Sequence, residues 1–284
     1  ESHVLCGNGS DELLKLLVQV FTDGERSAAM LDPSYSLYPV LANAHGIIIH
    51  RVILEPDMHL PVQELCELDA NLILLTCPHA PTGVAFKMEE MEELARSTGA
   101  ILVFDEAYSA FAPHDALPLL KKYPNVCITR TLSKSHSLAG LRFGYLLAHP
   151  AIISQLDAAR DVYNVDTLAQ EAAYAAIEDE AYFRETVQKV IATRERVRSW
   201  FQTKGWFVYP SSANFLFVEP RHPKAPDGGA ELAADLFEYL QSRKILVRTF
   251  PHHRFTCRFL RISIGSDSEM NTLQQAIDQW ELNA

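Results

Sequence analysis

Apolar residues fall along this chain in two rhythms. Short continuous runs occupy residues 28–31, 47–53, 72–76, 101–104, 126–130 and 143–148. Runs without alternation are the pattern of strands covered on both faces, the usual state of a parallel sheet. Between them lie longer stretches with helical spacing. After an acidic start at Asp11 and Glu12, the residues Leu13, Leu14, Leu17, Val18 and Phe21 line one stripe of a helix running from residue 10 to 21. Residues 87–98 predict a second helix, with Gly99 as its expected C-terminal cap. This alternation predicts an α/β fold, a large domain whose mostly parallel sheet is sandwiched by helices. The character changes after about residue 150. A helical pattern covers 181–204 and stops at Gly205. Short apolar runs at 207–210, 215–218, 245–248 and 259–264 then mix with helices near 230–242 and 268–282. These predict a smaller C-terminal α+β domain, giving a large domain over 1–175 and a small one over 176–284. The Pro- and Gly-rich segment 219–229 reads as a surface loop.

Composition narrows the possible partners. Apolar residues make up 48% of the 284 positions, enough for a packed core and too many for a disordered chain. Lys plus Arg number 25 against 36 Asp plus Glu, a net charge of −11 that argues against nucleic acid as the main partner. Any anionic ligand must be met by a few local cations. No apolar run is long enough to cross a membrane. Cys6, Cys66, Cys77, Cys127 and Cys257 are scattered and form no CxxC pair, which fits free thiols in a reducing cytoplasm. No HExxH or Cys/His cluster has zinc spacing, so no metal is expected, and His252-His253 reads as a solvated loop pair.

Three segments at the ends of apolar runs are unusually polar. Phe104-Asp105-Glu106-Ala107-Tyr108 places a carboxylate straight after a buried strand, where it must be paired or suffer a heavy desolvation cost. By itself the segment could equally be a helix cap or a surface turn. Arg130-Thr131-Leu132-Ser133-Lys134 is followed by Gly140-Leu141-Arg142-Phe143-Gly144. Two hydroxyls, a Lys and an Arg eight residues later could gather around one phosphate. Small residues at 139, 140 and 144 point to close backbone approach there. Cys6-Gly7-Asn8-Gly9-Ser10 leads into a helix, the makings of an anion cradle.

Taken in order, these motifs resemble the fold-type I enzymes of pyridoxal phosphate, and more narrowly the histidinol-phosphate aminotransferase family. Further matches are Asp32-Pro33-Ser34-Tyr35-Ser36-Leu37-Tyr38, Pro81-Thr82-Gly83, Tyr163-Asn164-Val165, Ala213-Asn214-Phe215 and Leu260-Arg261-Ile262-Ser263-Ile264-Gly265. The resemblance runs from Gly7 to the C-terminus. It implies pyridoxal 5'-phosphate as cofactor, with Lys134 as the residue that binds it covalently and then shuttles a proton. It implies Asp105 as the carboxylate holding the pyridine nitrogen protonated, Tyr108 as donor to the ring O3′ and Tyr35 as the aromatic stacked on the ring. Thr131, Ser133 and Arg142, with backbone groups of Gly9, Ser10 and Asp11, match the phosphate site. Arg261 matches the clamp on the substrate carboxylate, and Arg248 the residue that meets a distal phosphate. Asn164 and Asn214 match pocket-lining positions, with structural turn roles equally open for both.

The family resemblance implies an amino donor, histidinol phosphate first, a 2-oxo acid acceptor, 2-oxoglutarate, and a homodimer. A threonine-phosphate decarboxylase or an aromatic amino acid aminotransferase would share these motifs. So would the aminotransferase-like sensor domain of a transcription regulator. Two departures stand out. Ala80 occupies the place of the family's Asn in Asn-Pro-Thr-Gly, leaving Tyr108 to hold O3′ alone or His79 to reach in. The chain also opens on Glu1 without an initiator Met, and nothing in it matches the family's N-terminal arm: either the arm lies upstream or this protein lacks that contact.

Overall fold

The computed structural model describes residues 2–283. Two compact units emerge, one made of residues 1–80 and 85–184, the other of 81–84 and 185–284. The passage from one to the other falls inside a long helix.

Unit 1 is built on a seven-stranded sheet. Its strands are β1 (Val4–Gly7), β2 (Ser27–Asp32), β3 (Ile49–Ile53), β4 (Ala70–Thr76), β5 (Ile101–Asp105), β6 (Val126–Thr131) and β7 (Gly144–Ala148). They lie in the order β1-β7-β6-β5-β4-β2-β3. The pairs from β6 through β3 are parallel, and β7 runs antiparallel to both β6 and β1. The flanking helices are α1 (Ser10–Phe21), α2 (Leu37–His45), α3 (Val62–Glu67), α4 (Met88–Ser97), α5 (Leu117–Leu120), α6 (Leu132–Ser135), α7 (Pro150–Asp157) and α8 (Thr167–Glu178). Helix α1 forms as its apolar stripe predicts. Leu13, Leu14, Leu17, Val18 and Phe21 are buried in one cluster with Leu72, Val103, Cys127 and Leu146 from the sheet.

The continuous apolar runs become strands within a few residues of their expected limits. Strand β1 has no counterpart in the apolar pattern. It is a four-residue edge strand with alternating burial, too short to stand out. Helix α4 also ends differently. Thr98, in extended conformation, stops it and returns its N–H to the Leu94 carbonyl, so Gly99 is not a left-handed cap.

The helix α9 (Glu180–Thr203) leads into unit 2, which holds β8 (Phe207–Val208), β9 (Phe215–Glu219), α10 (Ala230–Ser242), β10 (Arg248–Thr249), β11 (Leu260–Ser263) and α11 (Asp267–Asn283). Its antiparallel sheet has the order β10-β11-β9-β8. Phe201, Trp206, Leu216, Leu236, Leu260, Ile262 and Ile277 form its core. The apolar run at 245–248 yields a strand only over Arg248–Thr249. Ile245 and Val247 instead pack against the core as side chains.

Candidate active site

In an open parallel sheet, loops after the C-terminal strand ends frame the ligand crevice. Here β5 and β6 end side by side, with Asp105 opposite Thr129 in the register. Gly144, at the start of antiparallel β7, faces Thr131 on one side and Gly7 on the other. Every polar segment singled out in unit 1 therefore reaches one edge of one sheet.

Asp105 is the deepest of these groups, with 2% of its surface exposed. Burial pushes its carboxyl up to about 6, against the pull of hydrogen bonds from Thr129 and Tyr38. The Tyr38 hydroxyl donates to Oδ2 and the Thr129 hydroxyl to Oδ1, each at 3.2 Å. Tyr108 follows β5 directly and opens a short 3-10 turn. The Nζ of Lys134 lies 5.9 Å from the centre of the Tyr108 ring. Lys134 itself is exposed on α6, the four-residue helix that β6 feeds.

Tyr35 stands between two carboxylates. Its hydroxyl donates to Asp11 Oδ1 at 3.3 Å, and its ring meets the Tyr38 ring edge-on at 5.7 Å. Burial, with Asp11 and Asp105 nearby, pushes its phenol well above the ordinary range.

The Gly-rich turn and Arg142 form a second cluster. Gly9 precedes α1 with φ 80° and ψ 165°, a conformation essentially reserved for glycine. A Cβ there would lie 2.6 Å from Arg142 Nη2. Arg142 is itself left-handed at φ 57° and pairs with Asp11 at 3.3 Å. Thr131 caps α6, accepting from the Ser133 N–H at 3.2 Å while its hydroxyl meets Ser133 Oγ at 2.9 Å. Gly144 closes the cluster. A Cβ on it would stand 2.5 Å from the Ser10 nitrogen and 2.6 Å from the Gly9 carbonyl carbon. The small residues expected to mark close approach therefore divide. Gly144 does so, whereas Gly140 has nothing within reach of a Cβ.

His79 is fully buried, and its Nε2 lies 2.9 Å from the Pro33 carbonyl oxygen. Burial lowers its imidazole to about 4, so it is neutral at physiological pH. That nitrogen ties the 77–80 turn to the loop before Tyr35. Ala80 is held in the same turn by its N–H, which donates to Thr76 Oγ1. The amide of Asn164 donates to the Cys6 carbonyl and to Glu12, each at 3.0 Å, and its oxygen accepts from Arg160. It thereby braces β1 against the start of α1.

Within unit 2, Arg248 and Arg261 are cross-strand partners. Both guanidinium groups lie over the Phe250 ring, at 5.9 and 5.8 Å, and Arg261 also over Phe215 at 5.0 Å. Asn214 accepts the Ile264 N–H through its backbone carbonyl, and the buried Arg194 donates to the adjacent Ala213 carbonyl.

Four residues near this edge have no role in the sequence pattern. Two are Tyr38 and Thr129, the hydroxyl donors to Asp105. The other two are Glu106 and Arg130. Glu106 is buried beside Asp105, and Arg130 donates to its Oε2 through Nε and Nη2 at 2.8 and 2.7 Å. Arg130 also reaches Asp115 at 2.8 Å. Burial raises the Glu106 carboxyl, and the Arg130 charge opposes that rise. The pair binds the loop after β5 to β6, the strand that feeds the helix carrying Lys134. Arg130→Ala strands a buried carboxylate and is expected to destabilise the protein by about 3 kcal/mol. A shift of the urea midpoint to lower concentration at unchanged slope checks this.

Comparisons with known proteins establish the family. The family model for aminotransferase class I and II matches residues 1–278. A histidinol-phosphate aminotransferase of Synechocystis is 39% identical over 97% of this chain and 76% of its own length. One from Geotalea uraniireducens is 42% identical over 96% and 76%. The solved histidinol-phosphate aminotransferase of Sinorhizobium meliloti, in complex with pyridoxal-5'-phosphate, superposes with a TM-score of 0.88 at 27% identity, covering 98% of this chain and 76% of that one. The chain belongs to the class I and II aminotransferases and, within them, to the histidinol-phosphate aminotransferase family.

Proposed function

We propose that this chain is a pyridoxal phosphate-dependent aminotransferase. Its amino donor is histidinol phosphate and its acceptor 2-oxoglutarate, taken in turn in a ping-pong cycle. The observation that carries the reading is the sheet edge just described. Buried Asp105, the Tyr108–Lys134 contact and the Gly9–Arg142 cluster lie there, in a chain 42% identical to a histidinol-phosphate aminotransferase.

The residues fit the cofactor. A carboxylate raised by burial suits a cationic ring nitrogen as its partner, since that charge offsets what desolvation removed. Because Gly9, at the N-terminus of a twelve-residue helix, has no side chain, the Arg142 guanidinium reaches within 2.6 Å of where a Cβ would stand, so a cation and the first N–H groups of the helix meet at one point, as a phosphate requires. When bound, the cofactor supplies the electron sink on which transamination depends. Lys134 would hold it through Nζ and would serve to carry a proton to and from the substrate Cα. Asp105 keeps a proton on the ring nitrogen, and Tyr108 donates to O3′. Tyr35 packs on the ring face. Thr131, Ser133, Arg142 and the N–H groups of Ser10 and Asp11 take the phosphate. Arg261 takes the substrate carboxylate with its planar fork and Arg248 the distal phosphate, while Asn164 and Asn214 line the pocket.

The working unit in this reading is a homodimer in the cytoplasm. Support for a second copy comes from an exposed apolar face on unit 1, where Val162, Tyr163, Tyr174 and Ile177 border a groove of about 570 Å³. The five unpaired cysteines support a reducing compartment.

Half-reaction spectroscopy tests the substrate. Histidinol phosphate and glutamate are each expected to convert the yellow holoenzyme to its amino form, and phenylalanine and threonine phosphate to do so far more slowly. No conversion with histidinol phosphate would overturn the reading. Carbon dioxide released from threonine phosphate would replace it with a decarboxylase.

A further inference from the structure

Asp105 is gripped at both carboxylate oxygens by neutral hydroxyls. Tyr38 donates to Oδ2 and Thr129 to Oδ1, each at 3.2 Å, and both donors have no exposed surface. They arrive from different elements. Thr129 is the β6 residue in register with Asp105, and Tyr38 rises from α2 with its ring edge-on against Tyr35. Each hydroxyl has a single hydrogen to give, and each gives it to Asp105.

We propose that Tyr38 and Thr129 are positioning residues for the reaction, a two-point clamp that keeps Asp105 ionised and fixes the rotation of its carboxylate. The proposal rests on the role assigned to Asp105 above. Burial drives this carboxyl toward its neutral form, and the negative charge of Asp11 on α1 drives it the same way. A neutral Asp105 could not hold a proton on a ring nitrogen. Three donors oppose that drift: the two hydroxyls and the Ala107 N–H. The other groups facing this region make contacts of their own. Tyr35 donates to Asp11, Arg142 pairs with Asp11, and Lys134 lies against Tyr108. A phenol suits the task. Burial and the adjoining Asp105 push Tyr38 well above the ordinary phenol range, so it stays a donor throughout the working pH.

The test reads the carboxyl directly in the cofactor-free protein. Aspartate labelled with ¹³C at Cγ is titrated by NMR, and the Asp105 signal is assigned by its loss in Asp105→Asn. Tyr38→Phe and Thr129→Val are each expected to raise the Asp105 midpoint by about 1 unit, the scale of one hydrogen bond to a charged group. Thr129→Ser is expected to restore it. In the loaded enzyme the acid limb of kcat should move in the same direction with both KM values unchanged. An Asp105 midpoint unaltered in Tyr38→Phe and Thr129→Val overturns the proposal. Should Tyr38→Phe fail to fold, the Thr129→Val and Thr129→Ser pair decides by the same criterion. The NMR titration needs neither cofactor nor turnover. A shifted midpoint in a protein inert toward histidinol phosphate would therefore sink the assigned activity and leave the clamp standing.

Discussion

Lys134→Ala is expected to abolish transamination, lowering kcat by about 10³-fold or more, because in the proposed role it removes both the covalent anchor and the group that moves the proton. Stability should change little. Lys134 is exposed at the surface of a four-residue helix, and its departure opens no cavity in the core. Two measurements check the expectation. Borohydride reduction of the wild type followed by peptide mass spectrometry should place the cofactor on Lys134, and the variant should carry no adduct. An adduct elsewhere in the wild type, or a variant retaining a tenth of wild-type turnover, would remove Lys134 from its assigned role.

Asp105→Asn carries the second large effect. Loss of the negative charge proposed to face the ring nitrogen is expected to lower kcat by about 10²-fold or more, the scale of removing one preorganised electrostatic partner. The same substitution should stabilise the cofactor-free protein at neutral pH. The native carboxyl titrates at about 6, raised from 3.8, so between those values the folded state binds more protons than the unfolded state. Stability contributed by this group is therefore full below about pH 4 and is lost as pH rises through 6. The two-unit displacement corresponds to about 3 kcal/mol at pH 7. The neutral amide of the variant would not incur that cost. Urea unfolding of the cofactor-free proteins should show the variant ahead at pH 7 and level with wild type at pH 4. A variant less stable at both values would mean that Asp105 is not a buried charge held against its own solvation.

Some of this organisation is legible in the sequence, for physical reasons. A strand covered on both faces has no polar side, so β4, β5 and β6 show as continuous apolar runs. A helix with one face on a core shows its stripe, as α1 does. Elements with little to bury do not show. Helix α8 buries only Ala169 and Ala173 and exposes Leu168, Tyr174 and Ile177, so its pattern points nowhere. Helix α2 carries Pro39 in its first turn, where proline is tolerated but reads as a break. In the site, Asp105 is visible as a carboxylate at the end of an apolar run. Its clamp is not. Thr129 looks like one more strand residue, and Tyr38 looks like the partner of Tyr35 rather than of a carboxylate 67 positions away. Glu106 and Arg130 are hidden for the same reason. Each reads as a surface charge until the sheet brings them together across 24 residues.

The contact at Gly144 has a consequence for how this site can evolve. The residue carries no functional group, yet the Ser10 nitrogen and the Gly9 carbonyl carbon occupy the place of its missing side chain. Any substitution there must push the start of α1 away from β7 and with it the proposed anion cradle. Gly140, four residues earlier and also near Arg142 in sequence, meets nothing. Under selection for cofactor retention the two glycines should drift at very different rates, with position 144 frozen and position 140 free to vary.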